Sequence, residues 1–179
     1  MRYCARVLIG MLALIVCLPV KAVTVVVTVP ALSMIADAVM QGVGQSVVLI
    51  DGKQSPHGMQ LTPSQRQSLS QADLVLWVGP DMETWLPKTL VQFNKPSLAV
   101  MDIPNLSLLS ATAAQQEKHD HHNGMWDMHL WLDPDVMVAL TAALRDELVL
   151  RDAANARRYQ DNAGALMVDI QQAQQDAQH

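Results

Sequence analysis

The chain of 179 residues carries 12 Lys and Arg against 17 Asp and Glu, a formal charge of −5, with six histidines and two cysteines. An acidic chain without a basic patch lacks the electrostatic footprint of a nucleic-acid or anionic-lipid binder, and its charge suits the gathering of cations. The length is that of about one domain.

Met1, Arg2 and Arg6 lead into an apolar run over 7–20, followed by Val20-Lys21-Ala22, a small-x-small pattern. This reads as a secretory signal peptide over 1–22, cleaved after Ala22. The run is about 14 residues where a bilayer-spanning helix needs roughly 20, so no lasting membrane insertion is expected. Val16, which precedes Cys17, is not the small residue that normally stands before a lipid-modified cysteine. Cys4 and Cys17 both leave with this segment, so the exported chain has no disulfide, no thiolate ligand and no cysteine nucleophile. Arg2, Arg6 and Lys21 leave as well, and nine cations then face 17 anions, a charge of −8.

Residues 23–29 (VTVVVTV) form a continuous β-branched run, predicted as a strand buried on both faces and closed by Pro30. Leu32, Ile35, Ala36 and Val39 make a helical stripe over 31–41, with Gly42 at the C-cap position. Residues 47–50 are a second apolar run, followed by the loop 51–56. Thr62-Pro63 predicts an N-cap and first helical residue for a helix to about residue 71. Residues 74–78 read as a third strand, closed by Gly79-Pro80. Asp81 and Glu83 are expected in the first turn of the next helix, where negative charge suits the dipole; the alternative is a carboxylate at a cleft. Residues 97–101 read as the fourth strand.

Strands alternating with helices predict an α/β fold, a single lobe whose parallel four-stranded sheet is flanked by helices. Right-handed crossovers then gather the strand-end loops on one edge, where a site belongs. Periodicity vanishes over 105–127, which reads as a mobile loop. Asp133-Pro134 repeats the cap-plus-proline pattern and opens a helix to about residue 150, faced by Val136, Leu140, Leu144 and Leu148. A further helix restarts at Asp152 and runs to His179, with a stripe through Tyr159, Ala163, Leu166 and Ile170. The organisation expected is a leader over 1–22, a metal-binding lobe over 23–135 and a truncated connecting-helix region over 136–179.

His57 lies in the loop before one capped helix and His129 directly before another, so both imidazoles are accessible and rigidly backed, as a metal ligand requires. Their separation matches no short metal motif, and loop capping for His57 or packing for His129 explains each equally well. Met59, Met125 and Met128 raise a copper alternative, against their commoner use as adaptable core filler. Trp77, Trp85 and Trp131 read as core or cleft wall, and Trp126 lies in the polar loop.

Residues 55–86 (SPHGMQLTPSQRQSLSQADLVLWVGPDMETWL) and 128–135 (MHLWLDPD) closely resemble the ZnuA-type zinc-binding receptors, the periplasmic components of bacterial ABC metal-uptake systems. The order of features matches too: leader, Pro-His loop, LVLWVGP strand, histidine-containing acidic loop, HLWLDP. The resemblance implies a periplasmic, monomeric receptor that binds Zn²⁺ through His57 and His129 and delivers it to a membrane permease. It places His119, His121 and His122 in an auxiliary metal-collecting loop. Pro56 stands where some of these receptors have an acidic residue able to approach the metal. The second lobe, with its further histidine and carboxylate, is not in the chain, so binding is expected to be weaker than in a complete receptor. Histidine-dominated ligation favours zinc, with copper or manganese as alternatives; manganese receptors of this kind add carboxylates. A free-standing metal-buffering or chaperone domain is the main rival. A zinc hydrolase is less favoured, because neither an HExxH helix nor a GxSxG elbow is present.

Overall fold

The computed structural model describes residues 23–50, 59–106 and 127–177. The leader segment 1–22, His57 and the histidine cluster at 119–122 lie outside the described residues, as do Met125, Trp126 and His179.

Four strands, β1 (Val25–Val27), β2 (Val47–Val48), β3 (Leu74–Trp77) and β4 (Ser97–Ala99), form one sheet in the order β2-β1-β3-β4, parallel throughout. The helices are α1 (Pro30–Val39), α2 (Pro63–Gln71), α3 (Leu86–Phe93), α4 (Pro134–Arg151) and α5 (Ala156–Asp176). This is the predicted α/β lobe.

The two-residue alternation of a strand divides the core. Val25, Val27, Leu74 and Leu76 face a layer built from Leu32 and Ile35 of α1, Leu140 and Leu144 of α4, and Tyr159 of α5. Val26, Val75 and Trp77 face the opposite way, against Leu69 of α2 and Leu86 and Leu90 of α3. Every residue of β1 and β3 is therefore buried, which is why these strands read as unbroken apolar runs.

β2 is an edge strand of the sheet. Val47 and Val48 lie on the edge and are 39% and 40% exposed, while Leu49 and Ile50, just beyond the strand, are buried. The Ile50 N–H donates to the Thr28 carbonyl at 3.1 Å, so the chain leaves β2 alongside the end of β1.

Both predicted cap-plus-proline starts are present. Thr62 and Gln65 make a reciprocal capping box at α2, and the Asp133 carboxylate accepts from the Asp135 and Val136 N–H groups at α4. The start predicted at Asp81 is corrected: α3 begins at Leu86, with Pro87 in its first turn, and residues 79–85 form a turn-rich connection. Gly79 belongs to it because a Cβ there would lie 2.5 Å from the Met101 sulfur.

A short 3₁₀ turn at Ala153–Asn155 folds α5 back on α4. At this corner the buried Asp152 carboxylate accepts 2.8 Å hydrogen bonds from the Tyr159 hydroxyl and the Asn155 amide. Asn162 donates to the Val39 and Gln41 carbonyls, tying α5 to the end of α1. Gln174, near the other end of α5, reaches Asp135 at the start of α4, so the two helices run antiparallel along nearly their whole length. No described helix is long and apolar enough to cross a membrane.

Candidate metal centre

From β1 the chain moves outward to β2, then crosses back to β3 on the other side of β1. α1 covers one face, and α2 and α3 the other. The boundary between β1 and β3 is therefore the topological switch point, where doubly wound sheets bind ligands outside the carboxyl ends of their strands.

His129 belongs to this edge. The Arg151 guanidinium at the end of α4 donates to the carbonyl of Asp73, the residue before β3, which fixes that end of α4 at the amino edge of the sheet. A helix of 18 residues is about 27 Å long, so its start, with His129 just before it, lies towards the carboxyl edge. His57 falls in the segment that follows Ile50, after the carboxyl end of β2, outside the described residues.

Locally the motif Asp127–Asp135 braces itself. Leu130 is buried and anchors a 3₁₀ turn over Leu130–Leu132, the Leu132 N–H donates to the His129 carbonyl, and Asp133 ends the turn by capping α4. His129 projects from this base with its side chain 56% exposed. Its Nδ1 lies 2.8 Å from Asp127 Oδ1, and the same oxygen accepts from the His129 backbone N–H at 3.0 Å. The ring meets Trp131 edge to face, with centroids 5.4 Å apart and planes at 69°. With Nδ1–H donating to the carboxylate, Nε2 carries the lone pair that a metal would take.

Asp127 entered the sequence reading only as the end of a polar loop. A signal was present, since an Asp side chain readily bonds the backbone N–H two residues on. Among the described residues no group of three or more His, Cys, Asp or Glu side chains is placed to hold a metal. Met59 and Met128 are partly buried against opposite core layers, in packing roles.

At the switch point itself lies Glu83, fully buried. Its carboxylate accepts from the Thr28 hydroxyl at 2.5 Å, the Gly79 N–H at 3.0 Å and the Val78 N–H at 3.3 Å, joining the ends of β1 and β3. Burial pushes its pKa above the ordinary value, and the three donors only partly oppose this. Glu83 is thus neither a dipole partner in a first helical turn nor an accessible cleft ligand; it is an internal tie beneath the edge.

A doubly wound sheet with an exposed, carboxylate-held imidazole towards its carboxyl edge defines an α/β lobe with a candidate ligand site. The chain belongs to the ZnuA family, described as zinc-uptake complex component A, periplasmic, whose family model matches residues 25–179. It is 32% identical over 144 residues to the high-affinity zinc uptake system protein ZnuA of Yersinia pestis, covering 70% of this chain and 45% of that one. It is 30% identical over 176 residues to the protein of the same name from Brucella abortus (strain 2308), covering 79% and 53%. The fold matches the crystal structure of the Zn(II)-bound ZnuA-like domain of Streptococcus pneumoniae AdcA with a TM-score of 0.68 at 21% identity, over 85% of this chain and 53% of that one. The chain spans about half the length of these curated relatives, 45% and 53%.

Proposed function

We propose that this protein captures Zn²⁺ in the periplasm as the solute-binding component of an ABC zinc-uptake system and passes the ion to a membrane permease, with no covalent bond made or broken. The observation that carries the proposal is the exposed His129 imidazole, held on the ligand-binding edge of a lobe whose relatives are named for zinc uptake. In this reading residues 1–22 are a leader removed on export, His57 joins His129 as a principal ligand, and His119, His121 and His122 collect metal nearby. Zinc prefers four ligands in a tetrahedron, so two imidazoles leave two positions for water, a loop histidine or another donor. Imidazole ligation favours zinc over manganese.

Calorimetric titration of the chain with Zn²⁺ tests this. His57→Ala and His129→Ala are each expected to remove the tightest binding event. Replacing His119, His121 and His122 together by alanine is expected to keep that event and lower the number of ions bound. Tight zinc binding unchanged by His57→Ala and by His129→Ala rules out the proposed centre.

A further inference from the structure

We infer that Asp127 is a positioning residue of this centre, setting which ring nitrogen of His129 faces the metal; this rests on the reading of His129 as a zinc ligand. One carboxylate oxygen, Asp127 Oδ1, bonds both the backbone N–H of His129 and its Nδ1, at 3.0 and 2.8 Å. A single atom therefore fixes where the residue sits and how its ring is turned. The edge-to-face contact with Trp131 sets the ring plane independently. Leu130 and Asp133 hold the backbone that carries these groups, through burial and through the cap of α4.

The chemical consequence is a choice of tautomer. A carboxylate only accepts, so in the neutral ring Nδ1 carries the proton and Nε2 the lone pair, the opposite of the Nε2–H form that an unconstrained imidazole favours in water. The carboxylate also fixes the orientation of the ring. Both effects act before metal arrives, so the ligand is aimed in advance and little order has to be created on binding.

The test uses the full chain labelled with ¹⁵N-histidine, with the His129 resonances assigned by their absence in His129→Ala. Long-range ¹H–¹⁵N correlation of the metal-free protein is expected to show His129 as the Nδ1–H tautomer, with added Zn²⁺ moving Nε2. In Asp127→Ala the tautomer is expected to revert towards Nε2–H, and zinc affinity to fall about 10- to 100-fold, the usual cost of losing such a partner. Asp127→Asn retains an oxygen able to accept from both the backbone N–H and Nδ1–H and loses the charge, so it separates the carboxylate's charge from its hydrogen-bond geometry; its affinity is expected to fall as well. If His129→Ala abolishes tight binding while both Asp127 variants keep the affinity and the Nδ1–H tautomer, the role of Asp127 is overturned and the zinc reading stands. If His129→Ala leaves tight binding intact, both fall together.

Discussion

Glu83 shows at the scale of one residue why a motif's surroundings matter. In sequence it looks like helix-start chemistry, since Gly79-Pro80 closes a strand and two acidic residues follow. The competing clue was Leu86-Pro87, a later helix start whose proline suits the first turn. Burial of the carboxylate and the reach of Thr28 across 55 positions of sequence are long-range facts with no local trace. Glu83→Ala would leave the Thr28 hydroxyl and two strand-end N–H groups without their acceptor, at about 1–3 kcal/mol for each buried group left unsatisfied. Chemical denaturation should show that loss. The raised pKa adds a pH signature of definite sign. A carboxyl whose folded pKa lies above its ordinary 4.5 binds its proton more tightly in the native state, so its contribution to stability is greatest below 4.5. That contribution declines as pH rises from 4.5 through the raised value, then levels off. The difference in denaturation midpoint between wild type and Glu83→Gln, followed across that window, should show this decline; a flat difference would mean Glu83 does not titrate there.

At the scale of elements, legibility followed how local the determinants were. β1 and β3 were readable because central strands of a parallel sheet need apolar residues on both faces. The starts of α2 and α4 were readable because Thr62-Pro63 and Asp133-Pro134 act within one turn. The burial of β2 was not legible, since Val47-Val48-Leu49-Ile50 is equally apolar at every position, and only the strand order reveals which residues lie on the edge. Of the candidate site, the sequence marked His129 and its cap but missed Asp127, whose importance depends on the orientation of one side chain. Asp133 couples the two levels, because it caps α4 and closes the turn that presents His129. Asp133→Ala is expected to cost about 1 kcal/mol in thermal denaturation, within the usual range for a lost N-cap. Leu144→Ala, in the wholly buried face of α4, is expected to cost about 2–5 kcal/mol.

For the molecule as a whole, the two core layers are built from apolar side chains. Chelation is therefore expected to leave the far-ultraviolet circular dichroism of the chain unchanged, unlike a metal-dependent finger domain. A ligand that binds only the native state still stabilises it by mass action, by about 2.7 kcal/mol at a hundredfold excess over Kd. Added Zn²⁺ should raise the melting temperature of wild type well above any rise seen for His129→Ala.

The uneven cover of the sheet has a consequence for local opening. α2 has one fully buried residue, Leu69, whereas α4 inserts five side chains into the thicker layer and is braced along its length by α5. Units with little buried apolar surface open at lower free energy, so amide hydrogen exchange should be fast through α2 and slow through β1, β3 and α4. In the proposed centre His129 is carried by the slow-exchanging layer, while the segment containing His57 runs into the fast-exchanging one. An ion bridging them would lend protection unequally, slowing exchange in α2 far more than in α4, and the metal would act as a clasp on the looser half of the lobe.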